Sequence, residues 1–313
     1  MSTVAVASRS FSKHAVLRAE LAARHPGAKF NDAGASLKGD DLVKFLEGCD
    51  KAVLALETVD AALLDRLPRL KVVSKFGVGL DSFDLKAMAA RGVKLAWTPG
   101  TNSRSVSELA LLMLLATLRR VPEATADLSA GKWTQPKGST LTGKTVGLIG
   151  LGAVGRDLVR LLGPFGATVL AYDPAPDREF AAEHGVRFTS LEEVLQEADA
   201  VSLHLPLTPM TRRFLSSSRL GLMKPTAVLV NTARGGLVDE KALLEALDGD
   251  RLAGAALDVF EVEPPADPKL ASHRKLLATP HIGGSTDEAI LAMGRAAIAG
   301  LDAARDASEF IRG

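Results

Sequence analysis

Short apolar runs rich in β-branched residues alternate with amphipathic segments along most of the chain. This alternation predicts parallel strands, each followed by a helix that covers the sheet. Several runs are apolar at every position, as expected for strands buried on both faces. The predicted strands are Val4–Ala7, Ala52–Leu56, Val72–Phe76, Lys94–Trp97, Thr145–Ile149, Thr168–Tyr172, Ala200–Leu203, Val228–Asn231, Gly254–Leu257 and Leu276–Ala278. The predicted helices include Lys13–Arg24, Asp84–Ala90, Val106–Arg120, Ala153–Leu162, Leu191–Glu197, Glu240–Leu247 and Asp287–Ala304.

Two segments rich in proline and glycine interrupt the pattern before the longest predicted helices. They are Trp97–Gly100 and Thr279–Gly284. Such breaks are typical of joints between compact units. We therefore predict one domain over residues 98–285 and a second, discontinuous domain made of residues 1–97 and 286–313. The fold class is α/β, with two doubly wound parallel-sheet domains.

The composition is that of a globular chain and argues against several kinds of partner. At 313 residues the chain is long enough for two domains. Its 38 Lys and Arg residues balance its 37 Asp and Glu residues, so no excess charge favours nucleic acid or acidic lipid. The single cysteine, Cys49, favours a reducing compartment. Because we find no basic leader and the apolar stretch Leu109–Leu118 is too short for a bilayer, we expect a soluble cytoplasmic protein without membrane partners.

A strand that leads into a glycine-rich turn predicts a phosphate-binding site. Thr145–Ile149 is followed by G-x-G-x-x-G, formed by Gly150, Gly152 and Gly155, and then by a predicted helix. The first glycine permits a tight turn, the second lets the backbone approach a pyrophosphate, and the third lets the helix pack closely. The helix N-terminus offers free N–H groups to the phosphate oxygens.

An acidic residue at the next strand end distinguishes between the two nicotinamide dinucleotides. Asp173 lies near the spacing of about 20 residues expected for the side chain that binds the adenosine ribose. Its charge would repel a 2′-phosphate, and the following Pro174, Ala175 and Pro176 supply no cation to hold one. We therefore predict NAD as the cofactor.

Three later strand ends carry charged side chains that suit a reaction on a small acid. Arg234 stands before two glycines, Glu263 before two prolines, and His281 between Pro280 and Ile282. Taken singly, each has a structural alternative: a surface arginine, a solvated acidic turn and a structural histidine. Together they supply what the reduction of a 2-keto acid needs. The arginine can bind the carboxylate and polarise the carbonyl, the histidine can transfer the proton, and the glutamate can fix the histidine tautomer.

Other titratable residues have simpler interpretations. His204 lies among apolar residues, which favours a buried histidine beside the cofactor over a second catalytic base. No group of His, Cys and carboxylate residues has convincing metal-ligand spacing, so we expect no metal.

Five segments then point to a known family. They are TVGLIGLGAVGRDLV, NTARGGLVDEKALLEAL, LDVFEVEPP and TPHIGGST, in that order, with FGVGLDSFDL nearer the N-terminus. With them, the chain resembles the D-isomer-specific 2-hydroxyacid dehydrogenases, a family that includes phosphoglycerate dehydrogenase and glyoxylate/hydroxypyruvate reductase. The resemblance implies an NAD-binding Rossmann domain inserted into a flavodoxin-like substrate domain, with hydride transfer between nicotinamide and C2 of a D-2-hydroxy acid. It also implies a homodimer formed through the dinucleotide domain.

The family's functional residues carry over to matching positions. Arg234, Glu263 and His281 match its catalytic Arg, Glu and His. The implied cofactor-binding residues are Gly150, Gly152, Ala153, Val154, Gly155, Asp173, His204, Leu205, Pro206, Thr211, Thr232, Ala233, Arg234, Asp258, His281, Gly283 and Gly284. The implied substrate-binding residues are Lys75, Phe76, Gly77, Val78, Gly79, Arg234 and His281.

The sequence is also compatible with two other functions. Relatives with the same three residues include NAD-sensing corepressors, and phosphite is a further possible hydride donor within this fold. The sequence does not identify which acid is the substrate. Because the end of the Ala52–Leu56 strand offers no arginine for a phosphate, the sequence favours a small unphosphorylated acid such as glyoxylate or hydroxypyruvate.

Overall fold

The computed structural model describes residues 3–311, which divide into two compact units. The first unit contains the chain up to Asn102 and again from Asp287 onward, and the second is Ser103–Thr286. Each unit contains one sheet of mainly parallel strands, which confirms the predicted fold class. Within residues 3–311, no helix has both the length and the apolar content needed to cross a bilayer.

The elements follow one another with short connections. As far as Asn102 they are β1 (Val4–Val6), α1 (Arg9–Lys13), α2 (Ala15–Arg24), β2 (Lys29–Phe30), α3 (Gly39–Leu46), β3 (Lys51–Leu54), α4 (Ala61–Asp65), β4 (Val72–Lys75), α5 (Leu85–Ala90) and β5 (Lys94–Ala96). In the second unit they are α6 (Ser103–Leu118), α7 (Val121–Ser129), β6 (Thr145–Ile149), α8 (Ala153–Leu162), β7 (Thr168–Tyr172), α9 (Arg178–His184), β8 (Val186–Phe188), α10 (Leu191–Glu197), β9 (Ala200–Leu203), α11 (Ser217–Leu220), β10 (Val228–Asn231), α12 (Glu240–Asp248), β11 (Gly254–Leu257), α13 (Pro268–Ala271) and β12 (Leu276–Ala278). The chain then returns to the first unit with α14 (Asp287–Ala303) and β13 (Arg305–Asp306), and 3-10 turns lie at Gly163–Phe165 and Ala307–Phe310.

The first sheet has the order β13-β5-β4-β3-β1-β2, with only the edge strand β13 antiparallel to its neighbour. Apart from that edge strand this is the flavodoxin-like order 2-1-3-4-5. After β1 the chain goes outward on one side to β2, and it then returns to form β3 on the other side. The order therefore reverses between β1 and β3, and crevices form at the carboxyl ends of strands beside such a reversal.

The second sheet has the order β12-β11-β10-β9-β6-β7-β8 and is parallel throughout. It contains the dinucleotide-binding order 3-2-1-4-5-6, with β12 added at one edge. Alternate residues along β10 belong to different apolar clusters, because Val228 and Val230 pack on one face of the sheet and Leu229 on the other. Burial on both faces explains why the strands read as continuous apolar runs.

Some elements differ from the predictions: one predicted helix is divided in two, one predicted strand ends earlier, and three short strands were not predicted. The helix predicted over Lys13–Arg24 is two helices, because His14 is extended and its Nδ1 caps α2 by accepting from Leu17 N–H. The strand predicted to reach Leu56 ends at Leu54, and Leu56 is 87% exposed. The strands β2, β8 and β13 were not predicted, because two or three residues are too few to show a period.

Candidate active site

Three neighbouring strands of the second sheet position the predicted catalytic residues. Arg234 follows β10, Glu263 follows β11, and His281 follows β12. These strands are adjacent and parallel, so their carboxyl ends lie at the same edge of the sheet. This is the edge at which open α/β sheets bind their ligands.

His281 and Glu263 form a direct pair. The Nδ1 atom of the histidine lies 2.8 Å from Oε2 of the glutamate. The other glutamate oxygen, Oε1, accepts from the N–H of Phe260 at 3.2 Å, which limits rotation of the carboxylate. Both side chains are about half exposed. With Nδ1 held by a carboxylate, the histidine presents Nε2 as its free proton-transfer atom.

A buried carboxylate holds the turn that carries His281. Asp258 is 1% exposed, and its two oxygens accept from the N–H groups of Ile282 and Gly283, both at 2.8 Å. Its Oδ1 also accepts from the hydroxyl of Thr279 at 2.6 Å. His281 itself has φ +56°, an uncommon backbone conformation for a residue other than glycine. The hydrogen bonds on both sides of the histidine keep this strained turn in place.

The turn after β10 is organised by Asn231, which is fully buried. Its side-chain N–H donates to the carbonyl oxygen of Arg234 at 2.9 Å, and its Oδ1 accepts from Ala233 N–H at 3.0 Å. The guanidinium of Arg234 donates to the carbonyl oxygen of Ala233 at 2.7 Å. Gly235 follows directly, and a Cβ there would lie 1.8 Å from the carbonyl oxygen of Phe260. Only a glycine allows the arginine turn to lie this close to the segment that leads to Glu263.

The glycine turn has the geometry that a pyrophosphate requires. Gly150 has φ +97°, and a Cβ there would lie 2.7 Å from the carbonyl oxygen of His204. A Cβ at Gly155 would lie 2.6 Å from the carbonyl oxygen of Gly150. At Gly152 a Cβ would meet nothing within 4 Å, so open space lies above the start of α8. Ala153 and Val154 form the first turn of this helix, whose N–H groups have no acceptor within the helix.

Asp173 closes the same turn from the neighbouring strand. Its Oδ2 accepts from Leu151 N–H at 2.7 Å, and its Oδ1 accepts from Ala175 N–H at 2.8 Å. The carboxylate is therefore fixed beside the glycine turn at the end of β7. Its partial exposure leaves room for ribose hydroxyl groups to approach.

Buried polar atoms without a partner lie where β9 and β10 end. Among the described residues, no hydrogen-bond partner is found for Nε2 of His204, Oγ1 of Thr232 or Oγ of Ser202. Leu203 pairs with Asn231, so His204 and Thr232 stand side by side on the same face of the sheet, and Ser202 shares that face. Burial lowers the pKa of His204 from 6.5 to about 4, so its imidazole is neutral at physiological pH. Ser202 was not predicted, although its spacing of two from His204 is the strand signal that places both on one face.

The remaining predicted cofactor contacts lie in loops at this edge. Thr211 closes the loop after β9 by donating from Oγ1 to the carbonyl oxygen of Pro206 at 2.7 Å, and Leu205 in the same loop is buried. Gly283 is buried, and its carbonyl oxygen accepts from Oγ of Ser105 in α6 at 2.6 Å. Gly284 is half-buried and follows directly.

The predicted substrate loop belongs to the first unit, at the end of β4. Lys75 ends β4, is 7% exposed, donates from Nζ to the carbonyl oxygen of Ala55 and lies 4.6 Å from the ring centre of Phe83. Phe76 is buried in the core, and Gly77 has φ +127°. Val78 accepts through its carbonyl oxygen from the indole N–H of Trp97, and Gly79 is half-buried.

These features fit a bound dinucleotide. The glycines leave space above a helix N-terminus, an acidic side chain stands at the next strand end, and unpartnered polar atoms line the neighbouring strand ends. The negative charge of a pyrophosphate complements the helix N-terminus. A ribose and a carboxamide carry hydrogen-bonding groups that complement the acidic side chain and the unpartnered polar atoms.

Comparison with known proteins gives one family match and many relatives. The family model described as D-isomer specific 2-hydroxyacid dehydrogenase, NAD binding domain, matches residues 111–283. Hydroxypyruvate reductase from Thermotoga maritima is 40% identical over 260 residues, covering 81% of this chain and 84% of that protein. D-3-phosphoglycerate dehydrogenase from Methanocaldococcus jannaschii is also 40% identical, over 84% of this chain but 51% of that protein. The chain thus spans about half the length of the phosphoglycerate dehydrogenases that it matches.

Solved structures show the same fold. A D-lactate dehydrogenase from Aquifex aeolicus in complex with NAD and lactic acid is 26% identical, with a TM-score of 0.82 over 96% of this chain and 95% of that chain. A glyoxylate reductase from Paecilomyes thermophila is 26% identical, with a TM-score of 0.85 over 96% and 94% of the two chains.

Proposed function

Because the chain belongs to the D-isomer specific 2-hydroxyacid dehydrogenase family, we propose that it interconverts a D-2-hydroxy acid and its 2-keto acid with NAD. The observation that carries this proposal is the pair of His281 Nδ1 and Glu263 Oε2, 2.8 Å apart at the carboxyl edge of the dinucleotide-binding sheet. We assign residues 98–285 to the NAD domain, and residues 1–97 with 286–313 to the substrate domain.

The proposed mechanism gives each residue one task. NAD supplies the nicotinamide ring that accepts the hydride from C2 of a hydroxy acid, or donates it in reduced form to a keto acid. Arg234 binds the substrate carboxylate and stabilises the negative charge that develops on the carbonyl oxygen. His281 Nε2 donates a proton to that oxygen during reduction and removes it during oxidation. Glu263 keeps the proton on Nδ1 and stabilises the imidazolium.

Asp258 and Asn231 support this site without taking part in proton transfer. Asp258 holds the His281 turn through two N–H groups, and Asn231 holds the Arg234 turn through both ends of its amide. Because the side chains of Asp258 and Asn231 are themselves buried, these bonds pre-organise the reacting side chains.

The activity is tested by following absorbance at 340 nm with NADH and a panel of glyoxylate, hydroxypyruvate, pyruvate and phosphohydroxypyruvate. Turnover of a 2-keto acid with NADH, at a higher kcat/KM than with NADPH, is the expected result. Binding of NADH without turnover of any acid would instead favour a sensor of the nicotinamide pool. A separate assay of NAD reduction by phosphite tests that donor.

We further propose that the second unit mediates homodimerisation. Large apolar side chains are exposed on α6, on α7 and on the segment that follows them: Leu112 is 58% exposed, Leu128 61% and Trp133 84%. Burial of such residues in a partner surface would stabilise a dimer. Light scattering coupled to size-exclusion chromatography should give twice the mass of one chain. The Leu112→Arg variant should give a lower mass.

A further inference from the structure

The glycine turn of the second unit is held by an arginine that the proposed mechanism does not use. Arg156 lies in α8, and its Nε donates to the carbonyl oxygen of Leu151 at 3.0 Å. The N–H of Leu151 donates to Oδ2 of Asp173 at 2.7 Å. The side chain of Leu151 is 3% exposed and packs in the apolar cluster beneath α8. This residue, which stands between the first two glycines of the turn, is therefore fixed at its side chain and at both of its backbone polar groups.

A second interaction fixes the guanidinium itself. Nη1 of Arg156 lies 2.7 Å from Oδ2 of Asp177, and the other oxygen of this aspartate accepts from Phe180 N–H at 3.1 Å and caps α9. The guanidinium carbon of Arg156 also lies 5.5 Å from the centre of the Phe180 ring. A planar guanidinium can donate in two directions at once. Arg156 thus links the glycine turn to the start of the helix that follows β7.

The bond to Leu151 determines where the next N–H group points. The peptide unit between Leu151 and Gly152 is trans and planar, so its carbonyl oxygen and its N–H point in opposite directions. Since Arg156 holds the carbonyl oxygen, the N–H of Gly152 points away from the guanidinium. Across residues 3–311 this N–H has no acceptor, and a Cβ at Gly152 would meet nothing within 4 Å. An unused donor is therefore held at the open start of α8.

We propose that Arg156 is a positioning residue of the NAD site, which aims the N–H of Gly152 at a pyrophosphate oxygen. The inference rests on the proposed function, in which NAD occupies this turn. A peptide plane that can rotate presents its carbonyl oxygen to the ligand for part of the time, and that oxygen repels a phosphate. Fixing the plane before the ligand arrives reduces the conformational entropy that binding costs.

An arginine one helical turn later provides a matched control. Arg160 also lies in α8, and its guanidinium carbon is 5.2 Å from the centre of the same Phe180 ring. Among the described residues it makes no hydrogen bond to the glycine turn. Methionine at either position removes one positive charge and keeps a long stem, but only Arg156→Met releases the Leu151 peptide. Arg156→Lys keeps the charge and loses the planar fork, so one ammonium group cannot replace both bonds.

The test measures binding of NADH and of ADP-ribose to the full chain by isothermal titration calorimetry. ADP-ribose contains the pyrophosphate and the adenosine ribose but has no nicotinamide. We expect Arg156→Met to raise both Kd values about tenfold or more, Arg156→Lys to raise them at least about fivefold, and Arg160→Met to change them less than about twofold. The KM for NADH should rise with the Kd. At saturating NADH, kcat should stay within about twofold of the wild type, because the arginine does not contact the reacting atoms.

Equal affinities of Arg156→Met and Arg160→Met for NADH would overturn the proposal. Wild-type affinity in Arg156→Lys would do the same, because the charge alone would then suffice. A loss of NADH affinity without loss of ADP-ribose affinity would place the effect away from the pyrophosphate and also contradict the role. If Arg156→Met has a lower melting temperature than Arg160→Met, the comparison of Arg156→Lys with the wild type decides. Failure of the wild-type chain to bind NADH would instead overturn the proposed function, and this inference with it.

Discussion

A Cβ atom at Gly235 would lie 1.8 Å from the carbonyl oxygen of Phe260. The turn that begins at Arg234 thus touches, backbone to backbone, the segment that leads to Glu263. The N–H of Phe260 in turn donates to Oε1 of Glu263. The separation between the proposed carboxylate-binding arginine and the histidine's partner therefore depends on a glycine that does no chemistry.

Gly235→Ala should lower kcat/KM for the keto acid more than tenfold, because the overlap can be relieved only by moving one of the two backbones. Overpacking of this kind typically costs about 1–3 kcal/mol, so the melting temperature should also fall. Gly163→Ala is the matched control, since a Cβ there meets nothing within 4 Å. Equal activity of the two variants would show that the close contact is unimportant.

His281→Ala should lower kcat by about two to four orders of magnitude, the usual value of general acid–base help. The affinity for NADH, measured by quenching of protein fluorescence, should change little. His184→Ala, which alters a histidine at the end of α9, should keep full activity. A normal kcat in the His281 variant would remove this residue from proton transfer.

Glu263→Gln keeps the shape of the side chain but removes its charge. Loss of a charge-assisted hydrogen bond is worth about 1.5–3 kcal/mol, so kcat should fall about tenfold to a hundredfold. KM should change less, because the glutamate contacts the histidine and not the substrate. Glu261→Gln, two residues earlier in the same loop, is the control. Similar kcat values for the two variants would contradict the assigned role.

Asp173→Ala should weaken selection for NADH over NADPH, because it removes the charge that repels a 2′-phosphate. We expect the ratio of kcat/KM for the two cofactors to fall at least about tenfold. Since the aspartate also accepts from Leu151 and Ala175 N–H groups, the KM for NADH should rise as well. An unchanged ratio would mean that the carboxylate only shapes the turn.

His204 should make the protein less stable in mild acid. Burial lowers its folded pKa from 6.5 to about 4, so between these pH values the unfolded chain binds more protons than the folded one. The free energy of unfolding therefore falls as the pH drops through this window, by about 2 kcal/mol between pH 7 and pH 5 from this residue. Urea denaturation at both pH values should show a correspondingly smaller loss for His204→Gln. An identical pH dependence in wild type and variant would refute the shift.

Much of the candidate site could be predicted because its determinants are local. The turn at Gly150–Gly155 is specified by glycines that allow positive φ and close contact directly after a β-branched strand. Arg234, Glu263 and His281 each follow a recognisable strand. Because parallel strands end at one edge, their juxtaposition follows from the pattern as soon as the strands are placed side by side.

Other features depend on contacts between distant parts of the chain. Asp258 stands more than twenty positions from the N–H groups that it holds, and Gly235 about as far from Phe260. Strand order and side-chain burial result from packing among all elements, whereas periodicity and glycine conformation are properties of a short segment. The sequence alone therefore determined most of the longer strands and the proposed chemistry, and the tertiary structure decided which residues hold that chemistry in place.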